Sequence, residues 1–194
     1  GKDHYATVTF DNAPEGRHVA LAWMSNWQYA AQVPTMQYRS GNSIPRDLGL
    51  FEHNGETYCS VTPSQEVTSA RSKKAAKALS DACELVVNLK GDATITLSNA
   101  KNEKVVMSYD AKNETFSMDR TQSGKIDFSD DFAVKTTAPT YGKMKLLRIF
   151  IDKSSIEAID AEGKMAMTNL VFPTKPYNKV EVKGKGKFVV YNLK

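Results

Sequence analysis

The stretch Gly16-Arg17-His18-Val19-Ala20-Leu21-Ala22-Trp23-Met24-Ser25-Asn26-Trp27-Gln28-Tyr29-Ala30 decides how this chain is read. From His18 to Trp23 it is apolar enough for a well-buried strand. The segment before it, Tyr5 to Phe10, alternates in the period-two manner of a half-buried one. The two are separated by Asp11-Asn12-Ala13-Pro14-Glu15-Gly16, whose Asp, Asn, Pro and Gly supply turn chemistry. Further strands are predicted at 85–89, 93–97, 105–109, 115–118, 146–151, 155–159, 165–170, 180–182 and 188–191. Most of them are separated by turn residues such as Lys90-Gly91-Asp92, Asp110-Ala111-Lys112-Asn113, Ala161-Glu162-Gly163 and Lys183-Gly184. Short strands at this spacing imply an antiparallel sandwich, barrel or propeller. One stretch, 64–82, has helix-forming composition but no apolar stripe, so a linker with a helical turn fits it equally well. Trp, Pro and Arg cluster before it, and regular strands with Lys-rich turns follow. The expected division is therefore 1–65, a linker at 66–75, and 76–194.

The 194 residues are 41% hydrophobic and 25% charged, which supports a packed core and excludes wholesale disorder. No run approaches the roughly 18 apolar residues of a membrane span. Gly1-Lys2-Asp3-His4 has no apolar leader character, and a leader cut away upstream would leave the compartment open. The net charge of +4 is mild. The densest basic runs, Arg71 to Lys74 and Lys183 to Lys187, have no aromatic residues interleaved, which argues against nucleic acid. The glycines of the second run suggest a solvated hairpin turn. Cys59 and Cys83 cannot supply a four-ligand zinc site, and both are expected to be buried or half-buried thiols. His4, His18 and His53 lack ligand spacing. Neither a metal nor a cofactor is expected.

The opening stretch continues through Val33-Pro34-Thr35 and Tyr38-Arg39-Ser40 to Ile44-Pro45-Arg46-Asp47-Leu48. Together these residues closely resemble the last propeller blade of the glycoside hydrolase family 32 enzymes, the invertases, levanases and inulinases. Tyr38 and Asp47 stand where that family usually has Trp and Glu. Gly1 to Ala6 is similar to the end of the family's Asp-aromatic-Gly-x-Asp-aromatic-Tyr-Ala strand. Asp119-Arg120-Thr121-Gln122-Ser123-Gly124 and Leu147 to Glu157 are similar to motifs of its C-terminal sandwich. The resemblance covers nearly the whole chain in order. It implies an all-β architecture, with a partial blade of a five-bladed β-propeller followed by a two-sheet antiparallel β-sandwich.

Enzymes of this family hydrolyse β-fructosyl linkages with retention, using two propeller carboxylates. Their Asn-Asp-Pro-Asn-like, Arg-Asp-Pro and Glu-Cys motifs are absent here. The resemblance therefore implies the C-terminal part of a β-fructosidase acting on sucrose, levan or inulin. No catalytic residue is expected within this chain, which should be inactive alone, with the sandwich bracing the propeller. Lys2, Asp3, Trp23 and Trp27 are the expected contributors to the sugar pocket wall. Tryptophan suits that role because its flat face covers sugar C–H groups while its N–H donates. In this chain by itself the terminus carrying Lys2 and Asp3 is expected to fray. The implied partners are the fructan or sucrose substrate and the rest of the propeller, with room for a homodimer. The implied location is secreted, periplasmic or cell-surface. A non-catalytic fructan-binding module, or a purely structural one, is the alternative. Arg39 and Arg46 are expected to brace the blade. The methionines at 107, 118, 144, 165 and 167 should be sandwich core. Asp152 and Glu157 should make local ion pairs and hydrogen bonds, and Asp130-Asp131 a solvated turn.

Overall fold

The computed structural model describes residues 1–194 and builds two antiparallel sheets. The first contains β1 (Tyr5–Thr9), β2 (His18–Met24), β3 (Gly41–Asn42), β4 (Arg46–His53) and β5 (Glu56–Pro63). Its order is β1-β2-β4-β5, with β3 also paired to β2. This is the four-stranded meander of a propeller blade. Pro45 separates β3 from β4, because a proline cannot donate to the ladder. The β4–β5 hairpin turns at Asn54 (φ 51°) and Gly55 (φ 81°). An Asn-Gly pair with both φ values positive matches the right-handed twist of the flanking strands. That pair is legible in the sequence, yet alternation alone does not single out β4 and β5. The apolar residues of this hairpin are sparse: Leu48, Phe51, Tyr58 and Val61 are only half-buried, and Leu50 is 76% exposed.

The second sheet holds β6 (Cys83–Ser98), β7 (Lys104–Asp110), β8 (Thr115–Gln122), β9 (Lys135–Pro139), β10 (Leu146–Asp152), β11 (Ser155–Asp160), β12 (Ala166–Leu170) and β13 (Lys179–Asn192). It folds over on itself into the two layers of a sandwich. The corner is made by β6 and β13, which pair along almost their whole length. The first half of β6 pairs with β10 on its other side, and the second half with β7. The sequence reading of Lys90-Gly91-Asp92 and Lys183-Gly184 as turns is thereby corrected. Each interrupted pair of predicted strands is one long strand bent in the middle. Gly91 (φ 149°) and Gly184 (φ 92°) supply the backbone freedom, and a register shift falls between Gly184 and Gly186. The lysines at 183, 185 and 187 ride this strand exposed rather than forming a hairpin tip. A Cβ at position 184 would strike the Asp92 carbonyl. Gly184→Ala is therefore expected to cost about 1–3 kcal/mol, read as a lower urea midpoint. An unchanged midpoint would mean that the bend does not depend on this glycine.

The core follows from period two. Val105, Met107 and Tyr109 of β7, Phe116 and Met118 of β8, and Leu147, Ile149 and Ile151 of β10 are buried together with Met144, Met165 and Met167. All five methionines are core, as expected. Tyr109 and Tyr177 are also packed inside, their hydroxyls bonded to the Met144 N–H and the Ser123 carbonyl. Every residue of β11 is buried. Its Ile156 and Ala158 face the sandwich core, whereas Glu157 and Ile159 face outward. The blade lies on this outward face, as Ile44 packs against the cluster of Val67, Phe150 and Ile159 and the Val61 N–H donates to the Gly163 carbonyl.

The helix-compatible stretch contains only α1 (Gln65–Ser69), a single turn anchored by buried Val67. Beyond it the chain runs beside β13, with bridges at Arg71–Leu193 and Ala76–Val190. Cys83 is buried, but Cys59 is exposed on β5, which corrects the expectation for that thiol. On an outer blade strand its side chain falls on the solvent face.

Candidate functional site

At the end of β2 the chain leaves the sheet after Met24 and turns back through Ser25–Gln28. Asn26 organises this loop. Its carbonyl accepts from the Tyr29 and Ala30 N–H groups, and its side-chain oxygen accepts from the Gln28 N–H. Its amide group donates to the Lys2 carbonyl at 2.9 Å, which ties the loop to the chain leading into β1. The result brings Trp27 over Trp23, with ring centroids 4.9 Å apart at 51°. Tyr5, opposite Trp23 in the ladder, meets it edge-on at 6.2 Å. Trp27 is 74% exposed and Tyr5 53%. Both tryptophans come together although Trp27 lies outside the strand. The row Tyr5, Trp23, Trp27 is a stepped aromatic surface, its rings inclined to one another, with indole N–H and phenol O–H groups to offer. Such a surface suits the mixed apolar and hydroxylated faces of a sugar.

Lys2 and Asp3 behave differently. The Lys2 ammonium donates to the Asp131 carbonyl at 3.0 Å and lies 5.7 Å from the centre of the Tyr29 ring. Asp3 is fully buried, which corrects the expectation of a frayed end. One of its oxygens accepts from the Tyr29 hydroxyl at 2.6 Å. The other accepts from Arg120 at 2.6 Å and from the Leu170 N–H at 2.8 Å. No side of this carboxylate faces solvent, so Asp3 is a strut between blade and sandwich. Arg120 is fully buried too, and donates also to the Tyr29 hydroxyl and to the Phe132 and Leu170 carbonyls. Its guanidinium lies 3.9 Å from the centre of the Phe132 ring. Around it Met24, Tyr29, Val33, Phe132, Leu170 and Phe172 form a small apolar cluster. Burial, with Asp3 alongside, pushes the Tyr29 hydroxyl pKa up, so this group stays a donor.

A second lock lies nearby. Arg46 pairs with buried Glu157 and also reaches the Thr168 hydroxyl, and the Ile44 N–H donates to Glu157 at 2.8 Å. Arg46 thus braces the blade as expected, its partner being a sandwich carboxylate. Arg39 donates to the Val33 carbonyl within the blade. Between the two units opens a cleft of about 330 Å³, lined in part by Thr35, Tyr38, Asn42, Asp152, Lys153 and Ser154. Asp152 is the one carboxylate in that lining. Retaining glycoside hydrolysis needs two carboxyl groups about 5–5.5 Å apart, and this cleft does not provide them.

His4 links the Asp3 strut to β1 and is half-buried, its Nδ1 3.4 Å from the Thr7 hydroxyl. Burial, reinforced by the charge of Arg46, lowers its pKa from 6.5 to about 4. The unfolded chain therefore binds a proton that the folded chain refuses over that interval. Stability then rises with pH across the window and is lost as pH falls through it. His4→Asn is expected to shrink the fall in melting temperature between about pH 6.5 and about pH 4. An equal fall in both proteins would show that His4 stays neutral for no energetic reason.

The buried partners of Asp3 and Arg46 carry no local sequence signal, because Arg120 and Glu157 lie more than a hundred positions away. The motif around Arg120 was visible, but its role was not.

Known proteins resemble this chain in sequence and in fold. The model of the glycosyl hydrolases family 32 C-terminal region matches residues 51–194, and that of the family's N-terminal domain matches residues 1–61. A levanase of Bacillus subtilis (strain 168) is 34% identical over 209 residues, covering 94% of this chain and 31% of the levanase. An extracellular exo-inulinase of Aspergillus niger is 28% identical, covering 90% of this chain and 37% of that protein. The chain thus spans about a third of the length of these relatives. Among solved structures, the exo-inulinase from Aspergillus awamori superposes with a TM-score of 0.89 at 23% identity. That superposition covers all of this chain and 44% of the other. Fructan 1-exohydrolase IIa from Cichorium intybus superposes at 0.76 with 16% identity, over 99% of this chain and 48% of that one. These likenesses establish blade and sandwich as the fold. With one family model covering most of the sequence and the other the remainder, this chain is a member of glycosyl hydrolase family 32.

Proposed function

We propose that this chain acts as the C-terminal part of a secreted or cell-surface retaining β-fructosidase that hydrolyses sucrose, levan or inulin-type linkages. The tryptophan pair forms part of the sugar pocket wall, and the two carboxylates of the chemistry come from propeller residues outside this sequence. The observation that carries this reading is the aromatic row of exposed Tyr5, half-buried Trp23 and exposed Trp27 on a blade whose inner strand β1 is exposed along its full length. An inner strand with Val8 at 65% exposure and Phe10 beyond it at 54% is made to be covered. The relatives support the substrate class, two of them being named for levan and inulin. No helix is long and apolar enough to cross a membrane.

Inactivity alone is supported by the fate of the buried carboxylates. Three of the four, Asp3, Glu84 and Glu157, are each held by arginine, and a carboxylate so held is a poor acid; the fourth, Asp160, has no arginine partner and accepts from the Lys164 N–H. The chain is expected to release no fructose from sucrose, levan or inulin above the chain-free blank, measured by reducing-sugar assay. Release of fructose would overturn the assignment of the chemistry to other residues. Electrophoresis through gels containing levan or inulin separates the alternative. Retarded migration that Trp27→Ala abolishes would make the chain a fructan-binding module in its own right.

A further inference from the structure

We propose that Arg120, a sandwich residue, is a positioning residue for the tryptophan pair on the blade. The inference rests on the reading of that pair as the sugar-facing surface, and it adds what sets the geometry of that surface. The path is short and made of directed bonds. Arg120 donates to the Tyr29 hydroxyl at 2.9 Å, and that hydroxyl donates onward to Asp3 at 2.6 Å. Tyr29 is the far anchor of the loop that carries Trp27, and Asp3 lies two positions before Tyr5. The near anchor, Asn26, holds the Lys2 carbonyl. Both ends of the aromatic row are thus hung from one guanidinium that belongs to the other unit. Trp27 itself is 74% exposed and meets the ring of Trp23 at 4.9 Å. The Arg46–Glu157 lock joins the same two units at Ile44 and Thr168; it meets Asp3 through the Thr168 main-chain carbonyl, which accepts from the Asp3 N–H at 3.2 Å, and makes no bond to the Trp27 loop.

Trp23 and Trp27 are the only tryptophans in the chain. Two indoles at this separation and tilt couple their transitions and give a paired circular-dichroism band that reports their mutual geometry. Tyr29→Phe removes the hydroxyl while leaving the Asp3–Arg120 ion pair and the ring packing in place, so the protein is expected to fold. Its tryptophan couplet should lose most of its amplitude. Arg120→Lys keeps the charge but cannot span all four acceptors, and should act in the same direction. Glu157→Gln weakens the second lock and should lower the melting temperature while leaving the couplet at wild-type amplitude.

Retention of the couplet in Tyr29→Phe would overturn the proposal. So would an equal loss in Glu157→Gln, because that would reduce Arg120 to one of several general interface contacts. The couplet is read without sugar, so the underlying functional reading is tested separately, by whether levan or inulin oligosaccharides alter the tryptophan emission of the wild-type chain. A lost couplet in Tyr29→Phe with no response to sugar would uphold positioning and remove the sugar surface.

Discussion

Arg120→Met is expected to destabilise the chain by about 3–5 kcal/mol, the cost of leaving a buried charge without its partner. The substitution nearly preserves volume, so packing around Phe132 and Leu170 changes little, and the effect is electrostatic. Asp3 would keep only the Tyr29 hydroxyl and the Leu170 N–H in a site with no solvent access. Urea unfolding followed by tryptophan fluorescence reads the blade side of this contact, because both tryptophans lie there. Arg120→Met combined with Asp3→Asn should recover part of the loss, since no ion then remains to be desolvated. A loss of under about 1 kcal/mol, the scale of an exposed salt bridge, would mean that water reaches Asp3.

The second large effect is expected at Glu84. This carboxylate, at the start of β6, is fully buried and accepts from two arginines. Arg71 approaches it from the segment after α1, with bonds of 2.8 and 2.7 Å, and Arg148 approaches from β10. Arg148 also reaches the Thr68 hydroxyl in α1 at 3.2 Å. Glu84 is therefore the anion that holds the connecting segment against the sandwich. Glu84→Ala should cost about 3–5 kcal/mol, because two guanidinium groups lose their counter-charge together. Glu84→Gln should fall between Glu84→Ala and wild type. Denaturation followed by far-ultraviolet circular dichroism measures the cost. A substitution that leaves the midpoint unchanged would show that both arginines find solvent instead.

Both effects concern residues whose importance was hidden from the sequence, and the reason is physical. Alternation exposes a strand because burial repeats every two residues, so β7, β8 and β10 were legible directly. It also identified the methionines as core. Glycine in a strand is ambiguous, however. Gly91 and Gly184 read as turns when each strand is considered alone. Only the pairing of β6 with β13 reveals that both bend at one corner. The Asn54-Gly55 turn carried a clear signal, but its flanking strands are outer blade strands with few apolar residues, and their pattern is weak.

The candidate site divides in the same way. Trp23 and Trp27 could be singled out because tryptophan is rare and chemically suited to sugars, and the structure brings their rings together. Lys2 and Asp3 could be singled out only by resemblance. What Asp3 does depends on a partner 117 positions away. A charged residue near a terminus reads as solvated until the group that neutralises it is seen. Its complete burial gives the sandwich a definite task at the base of the aromatic row.

The most direct test of this account is a double-mutant cycle between Asp3 and Arg120. Stability is measured for the wild-type chain, Asp3→Asn, Arg120→Met and the double variant by urea unfolding with tryptophan fluorescence. A lock between blade and sandwich predicts that the two single losses are far from additive, with a coupling energy of about 1–3 kcal/mol. Losses that add to within about 0.5 kcal/mol would contradict it. Asp3 and Arg120 would then be independent residues, and the sandwich would not be tied to the aromatic row through them.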